Sequence, residues 1–302
     1  MTDVRLLEQV SRNAPLGIRF WDVAAATSTV YGLNVDVFRR DVPWARATAA
    51  MNRSGTYVAH QLPGAAPPPD LRAFEFSDAD PDVLWSGPTR QYRIEVRDPQ
   101  GRFLPIAFDA ELPWRGLLTF LGPWLSPPQP VSLPTEPGSP PPLLLERVPL
   151  FSAPSRPLPE PLAVVYAQMR EQGSGRDLAW ALLTVAIDGR VRGIGLADGQ
   201  GRVAVMFPYP EPPRQSLASP PEERNDFTWQ LSLTAFWSAA SPAGPVTDVP
   251  DLADVFGSLS TPRAVIESTV SPAAPLRLAY REALTARTAG TVGADASLLF
   301  VS

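Results

Sequence analysis

His60 is the chain's one histidine among 302 residues, and the sequence contains no cysteine. Catalysis by an imidazole base therefore has one possible centre, and His60 lies beside a predicted strand with no recognisable partner for proton transfer. The lack of cysteine removes thiol nucleophiles, disulfides and thiolate metal ligands together. We predict that His60 is a partly exposed structural residue and that the protein is not an enzyme.

Two groups of acidic residues contain pairs of carboxylates. A glycosidase-type hydrolase needs only two such groups, held at a set separation. The acidic groups are Asp78-Ala-Asp80-Pro-Asp82 and Glu222-Glu223, and both lie in polar, proline-flanked segments typical of solvated loops. The first group lacks the glycine and the distal glutamate of an EF-hand loop. We predict solvated loop charges and no metal site, with a carboxylate hydrolase as an alternative.

The glycines around residue 195 do not match a nucleotide-binding loop. Gly193-Ile-Gly195 is followed by Gly199 and Gly201, and then by a predicted strand, where a dinucleotide fingerprint needs a helix. We therefore predict no cofactor and no small-molecule ligand.

A five-residue turn pattern occurs twice. Asp98-Pro-Gln-Gly101-Arg102 and Asp198-Gly-Gln-Gly201-Arg202 each separate two apolar segments. The aspartate can accept hydrogen bonds from backbone amides two residues on, and the glycine supplies the positive φ of a type I turn with a bulge. Calcium needs six or more oxygen ligands, which one aspartate per turn cannot supply. Both patterns therefore predict structural hairpin turns.

Eight tryptophans are the other residues with functional potential. Exposed aromatic side chains anchor protein interfaces or stack on sugars. Trp180 and Trp229 fall in strand patterns and are predicted to lie in the core. Four others fall in loops or at strand ends and are the predicted interface residues: Trp44, Trp85, Trp114 and Trp124.

The elements that must position these residues are predicted to be strands. The chain has 37 prolines, more than twice the number expected at the usual frequency of about 5%. Proline breaks helices but is tolerated at strand edges, turns and linkers. Residues 33–37 and 92–97 alternate apolar and polar side chains, as half-buried strands do. Residues 180–187 form an apolar segment that ends at the hairpin signal Asp188-Gly189.

We predict a mainly β fold with two antiparallel, Ig-like β-sandwich domains. The predicted divisions are an N-terminal segment over residues 1–14, a first sandwich over 15–122, a proline-rich linker over 123–161 and a second sandwich over 162–302. The second sandwich includes one short helix at residues 251–259, whose apolar side chains share one face. The linker is predicted either to be a polyproline spacer or to pack on one domain, because residues 143–145 and 148–151 are apolar.

Charge and hydropathy limit the partners. The net charge is −5, which argues against a nucleic-acid scaffold. Every basic residue is an arginine, whose planar fork suits bidentate contacts to carboxylates on a partner. Residues 1–15 have no apolar core of a secretory signal, and the longest apolar run, residues 116–125, is shorter than the roughly 20 residues of a membrane span. We expect cytoplasmic synthesis and assembly.

Two parts of the sequence carry a resemblance. The first combines Arg19-Phe-Trp-Asp-Val23 and Asn52-Arg-Ser-Gly-Thr-Tyr-Val58 with residues 71–76 and 98–113, and the second combines residues 195–202 with Phe207-Pro-Tyr-Pro210. Together they resemble accessory proteins encoded with extracellular contractile injection systems, the phage-tail-like particles. The Asp-x-x-Gly-Arg hairpin also resembles those of carboxypeptidase-regulatory-like and other Ig-like modules.

The resemblance implies a structural part of the particle, at its baseplate or cap, with no catalytic residue carried over. It also implies other protein subunits as partners and release as part of an extracellular particle. Association would use sheet edges, proline-rich arms and exposed aromatics. The alternative is a glycan- or cell-surface-binding module that uses exposed aromatic side chains as its platform.

Overall fold

The computed structural model describes residues 14–27, 29–64, 89–113, 117–118, 120–121, 144–145, 147–210, 227–238, 249–270 and 275–302. Strands dominate these residues, most pairs are antiparallel, and one short α-helix is present among them. The prediction of a mainly β protein with one short helix is confirmed. Residues 71–76, which are part of the resemblance, and both acidic groups considered above lie outside the described residues.

The N-terminal half is built from eleven described strands. They are β1 Leu16–Ile18, β2 Phe20–Asp22, β3 Asn34–Arg39, β4 Val42–Thr48, β5 Ala50–Met51, β6 Tyr57–Ala59, β7 Arg90–Arg97, β8 Ile106–Leu112, β9 Phe120–Leu121, β10 Leu144–Leu145 and β11 Val148–Leu150. A four-stranded antiparallel sheet in the order β4-β3-β7-β8 organises this half. A three-stranded sheet, β1-β6-β5, and two strand pairs, β2 with β11 and β9 with β10, complete it.

The C-terminal half contains a nine-stranded sheet and one short α-helix among the described residues. The elements are β12 Leu162–Glu171, β13 Leu182–Ile187, β14 Arg190–Leu196, β15 Arg202–Pro208, β16 Thr228–Phe236, α1 Leu252–Gly257, a 3-10 turn at Ser258–Ser260, β17 Pro262–Ile266, β18 Arg277–Ala279, β19 Leu284–Thr285, a 3-10 turn at Gly293–Ser297 and β20 Leu299–Val301. The main path of the sheet runs β14-β13-β16-β17-β20-β12-β15, and beside it β18 pairs with β16 and β19 pairs with β12.

The two ends of the nine-stranded path, β14 and β15, pack face to face. A Cβ added at Gly193 would lie 2.8 Å from Cδ1 of Phe207, and one added at Gly195 would lie 2.8 Å from Cγ2 of Val203. Glycine at both positions therefore allows a backbone approach that any side chain would prevent. The sheet thus curls around a core of its own, which includes Phe207 and Val203.

The sequence periodicity explains how the strands bury their residues. In β7, Tyr92, Ile94 and Val96 are at most 1% exposed, while the alternate positions Arg93 and Glu95 are partly exposed. Successive side chains of a strand point to opposite faces, so alternation fixes which set enters the core. The hairpin signal between β13 and β14 is also confirmed, because φ is 53° at Asp188 and 71° at Gly189, as a type I′ turn requires.

Two local features of the second half test the expectations further. The predicted helix is confirmed as α1 with the following 3-10 turn, and Leu252 and Val255 are its buried residues. The placement of Trp180 in a strand was wrong. Trp180 lies in a turn before β13 with φ of 60°, and its side chain is partly buried, because the ladder of β13 begins only at Leu182.

The described end of the proline-rich segment packs into the fold. β11 pairs in parallel with β2, and Val148 and Leu150 are completely buried. They belong to one core cluster with Leu16 and Ile94 of the N-terminal half, and with Leu252 of α1. Hydrophobic packing is therefore continuous between the residues of the two predicted domains.

Candidate protein-interaction site

Trp44 is the predicted interface residue that the structure describes, and it is 79% exposed. Trp85, Trp114 and Trp124 lie outside the described residues. Trp44 lies in β4, the outer strand of the four-stranded sheet, which pairs with β3 on one side. Among the described residues no strand pairs with the other edge of β4. Aromatic side chains of this size are usually at least partly buried. The exposed ring of Trp44 therefore makes the edge of β4 a candidate contact surface.

A bulge in β4 accounts for the exposure of Trp44. In the ladder with β3, Phe38 pairs with Arg46 and the next β3 residue, Arg39, pairs with Val42. Residues 43–45 of β4 therefore have no counterpart on β3, and Trp44 is the middle one. Bulges of this kind bend an edge strand and change the direction of a side chain. Here the bulge holds a large aromatic ring away from the core.

Arg46 braces this bulge. Its Nε donates to the carbonyl oxygen of Pro43 at 3.0 Å, and its Nη1 donates to Glu95 Oε2 at 3.0 Å. Its guanidinium carbon also lies 4.1 Å from the ring centroid of Phe38. The bulge is thus tied to β7 and β3 by side-chain contacts, which gives Trp44 a defined backbone position.

The bulge also limits one expected mode of association. Pro43 has no N–H to donate to an added strand, and bulges twist an edge away from regular pairing. Extension of the sheet by a partner strand is therefore disfavoured along the first half of β4. A partner at this edge would instead meet side chains, of which Trp44 is the most exposed large apolar one in this strand.

The turn between β3 and β4 adds an arginine-lined cleft to the same end of the sheet. The cleft has a volume of about 380 Å³. Its lining residues are Arg39, Arg40, Asp41, Arg90, Gln91, Tyr92 and Asp109. Tryptophan and arginine are the residue types most enriched at the energetic centres of protein interfaces, and the β3–β4 hairpin contributes both.

Two arginines and two aspartates form a cluster beside this cleft, which we call the charge tetrad: Arg40, Arg93, Asp109 and Asp251. Arg40 Nη2 lies 2.6 Å from Asp109 Oδ2 and 3.4 Å from Asp251 Oδ2. Arg93 Nη1 lies 3.5 Å from Asp109 Oδ1 and also contacts Asp251. The hydrogen bond to Asp109 raises the pKa of Arg40 above its ordinary value.

The charge tetrad ties α1 to the four-stranded sheet. Asp251 is the N-cap of α1, and its Oδ1 accepts from Ala253 N at 2.9 Å. The backbone joins the same contact, because Ala107 N in β8 donates to the carbonyl oxygen of Pro250 at 2.9 Å. Both carboxylates of the tetrad are thus occupied by guanidinium groups.

Both predicted turns are among the described residues. In the first, Gln100 N and Arg102 N donate to Asp98 at 3.2 and 2.8 Å, and φ is 67° at Gly101. The Nε of Arg102 also donates to Asp98 Oδ2 at 2.9 Å, and its Nη2 donates to the carbonyl oxygen of Tyr31 at 2.6 Å. The carboxylate of Asp98 is therefore filled by donors of its own turn.

The second turn repeats this arrangement. Gln200 N and Arg202 N donate to Asp198 Oδ1 at 2.9 and 3.0 Å, and φ is 74° at Gly201. The Nε of Arg202 donates to Asp198 Oδ2 at 2.8 Å.

His60, the one histidine, is exposed next to β6. Within the described ranges no three acidic or histidine side chains converge as metal ligands.

The comparisons with known proteins identify no family for this chain. No family model matches the sequence, and no curated protein matches it. A Streptococcal ancillary pilin is 11% identical with a TM-score of 0.20, over 95% of this chain and 62% of the pilin. The shaft pilin spaA from Lactobacillus rhamnosus GG is 8% identical with a TM-score of 0.17, over 78% of this chain and 94% of the pilin. The chain thus spans 62% of the length of the first.

Sequence reasoning missed the arginine cleft and the charge tetrad. The signal for the cleft was the triplet Arg39-Arg40-Asp41, which joins two apolar strands where a neutral Asn-Gly turn would suffice. Asp251 carried a helix-capping signal, but its contacts with Arg93 and Arg40 join residues far apart in the chain.

In the part of the chain that the structure describes, no helix is long and apolar enough to cross a membrane.

Proposed function

We propose that this protein is a non-enzymatic structural subunit that associates with other protein subunits, with Trp44 as the anchor of that association. The observation that carries the proposal is a tryptophan 79% exposed on a braced bulge of an edge strand. Burial of one such ring at an interface removes a large apolar area from water, and interface energy is concentrated in few residues of this type.

The surrounding chemistry supports a binding surface more than a reaction centre. The cleft beside Trp44 contains Asp41 and Asp109 as its carboxylates, and both are in contact with arginines. A paired-carboxylate hydrolase needs one carboxyl group free to donate a proton and another free to attack or activate water. Guanidinium partners at both positions suit recognition of charge on a partner.

The particle to which the subunit belongs is proposed from the sequence resemblance. We place it in a phage-tail-like contractile injection particle, at the baseplate or cap, with assembly in the cytoplasm before release. The proline-rich segment would hold the two halves at a set position, since its described end is buried against β2. A subunit with one fixed, exposed anchor suits a position between neighbouring subunits.

Co-sedimentation tests both levels of the proposal. The tagged chain is produced together with the sheath, tube and baseplate proteins of a phage-tail-like contractile particle from the same source, and particles are collected by centrifugation. We expect the wild-type chain to sediment with the particle and the Trp44→Ala chain to stay in the supernatant. Tyr31→Ala is the matched control, because Tyr31 is an aromatic residue 58% exposed outside the hairpin.

Three outcomes would contradict the proposal. A chain that remains monomeric in the presence of all these components would contradict the particle assignment. Equal sedimentation of the wild-type and Trp44→Ala chains would contradict the role of Trp44. Saturable binding to a glycan array that Trp44→Ala abolishes would favour the glycan-binding alternative.

A further inference from the structure

The arginine cleft next to the Trp44 bulge has an unequal charge balance. Its lining contains three guanidinium groups, from Arg39, Arg40 and Arg90, against the two carboxylates of Asp41 and Asp109. The lining therefore carries one positive charge in a protein whose net charge is −5. Its volume of about 380 Å³ is at the lower end of the roughly 300–1,000 Å³ of ligand pockets.

The three arginines differ in how firmly they are engaged. Arg40 is held by Asp109 and Asp251, as part of the charge tetrad. Arg90 is exposed and donates from Nη1 to the carbonyl oxygen of Gly64 at 2.8 Å, and the described residues give it no carboxylate. A guanidinium group has five N–H donors, and within the described part of the chain this contact engages one of those of Arg90.

Arg39 is engaged by a carboxylate that lies two residues away. Its Nε donates to Asp41 Oδ1 at 2.9 Å, and its Nη2 contacts Asp41 Oδ2. The side chain of Asp41 is 60% exposed, and exposed ion pairs of this kind contribute little to stability. A competing carboxylate could therefore replace Asp41 at little cost.

We propose that the cleft binds a carboxylate side chain from an acidic, extended segment of the partner protein, and that Asp41 occupies the position of this carboxylate in the free subunit. This inference rests on the proposed function, since it names the chemistry of the partner at the same surface. The two-pronged contact of Arg39 with Asp41 shows the geometry that the incoming carboxylate takes. Arg90 provides the second donor group.

The charge balance favours a carboxylate side chain over a nucleic acid. One carboxylate matches the single excess positive charge of the lining, whereas a nucleic acid needs several phosphate contacts, which one excess positive charge does not supply. Trp44, on the same hairpin, would contribute the apolar part of the contact. Because the cleft is open, the electrostatic part of the affinity decreases as salt increases.

Fluorescence anisotropy with a labelled hexaglutamate peptide tests the inference on the full-length protein, with hexaglutamine as the uncharged peptide. We expect hexaglutamate to bind and hexaglutamine not to bind. Arg90→Gln should weaken binding about two- to fivefold, and Asp41→Asn should strengthen it by a similar factor. The controls are Arg192→Gln and Asp188→Asn, which make the same charge changes at exposed positions of the β13–β14 hairpin.

The peptide-binding measurements either support or overturn the inference of an acidic partner. Equal changes in the variant and its charge-matched control would show a non-specific effect of net charge and overturn the inference, as would failure of hexaglutamate to bind. The co-sedimentation of the Trp44→Ala chain is an independent measurement. Loss of sedimentation in that variant without any hexaglutamate binding would keep the proposed function and reject the acidic partner.

Discussion

Arg156 binds Asp22 through both terminal nitrogens of its guanidinium group, although the two residues are 134 positions apart in the sequence. Nη1 lies 3.1 Å from Asp22 Oδ1 and Nη2 lies 2.7 Å from Asp22 Oδ2. Asp22 is 4% and Arg156 9% exposed. Ser152 Oγ accepts from Nη1 at 2.9 Å and Ala24 N donates to Asp22 Oδ1 at 2.9 Å. This buried pair fixes the end of the proline-rich segment to β2.

Loss of one member of this pair leaves the other buried and uncompensated. We expect Arg156→Met to lower the free energy of unfolding by about 3–5 kcal/mol, as measured by urea denaturation. The control is Arg170→Met, which breaks an exposed pair with Asp177 and should cost less than about 1 kcal/mol. Equal losses in the two variants would contradict a structural role for the buried pair.

The two Asp-x-x-Gly-Arg turns predict a difference between matched glycine substitutions. Alanine at either glycine must adopt a positive φ, at a cost of roughly 1–2 kcal/mol. A Cβ at Gly101 meets nothing within 4 Å, but a Cβ at Gly201 would lie 2.5 Å from the carbonyl oxygen of Met169. We expect Gly201→Ala to destabilise by about a further 1–3 kcal/mol. Thermal unfolding of the pair measures this, and equal melting temperatures would contradict it.

The carboxylate of Asp98 should make stability depend on pH. Burial alone would raise the pKa of Asp98, but the hydrogen bonds from Arg102 and Gln100 outweigh it and place the pKa below its ordinary value. A lowered folded-state pKa stabilises the folded protein at pH values above the unfolded pKa, which is about 3.9. This contribution is lost as the pH falls through the lower, folded-state value.

Asp98→Asn tests this pH dependence. At pH 7 the wild type should be more stable than the variant, and the difference should shrink as the pH is lowered from 4 towards 2. Urea denaturation at each pH gives the difference in the free energy of unfolding. Arg102→Gln should reduce the same pH dependence, because it removes one of the groups that lower the pKa of Asp98. A difference that stays constant with pH would contradict the assignment.

Substitutions at Asp251 can separate its two roles, which are the capping of α1 and the ion pairs with Arg93 and Arg40. Asparagine keeps the ability to cap α1 but loses the charge that contacts Arg93, whereas alanine loses both. We expect Asp251→Ala to cost about 1 kcal/mol more than Asp251→Asn. Hydrogen exchange of the amides of Leu252–Gly257 should be faster in both variants, and fastest in Asp251→Ala. Unchanged exchange in Asp251→Asn would show that the charge tetrad does not hold α1 to the sheet.

Several local structures could be predicted from the sequence because they depend on neighbouring residues. The alternation in β7 determined which side chains enter the core, and Asp188-Gly189 determined a two-residue turn since both residues tolerate positive φ. The apolar spacing of residues 251–259 determined the helix. Trp180 shows the limit of this reasoning, since an apolar segment does not reveal where its ladder of hydrogen bonds begins.

The candidate site depended on tertiary structure. Trp44 is one of eight similar residues in the sequence, and only the pairing of β4 with β3 decided that it lies on a bulge at an edge. The cleft brings the β3–β4 turn together with β7 and β8, and Asp251 approaches from a segment 158 residues after Arg93. Local preference acts over a few residues, whereas contacts at such separations are selected by burial and pairing of the whole chain. The sequence by itself determined strands, turns and one helix, and tertiary packing decided which tryptophan and which arginines form a surface.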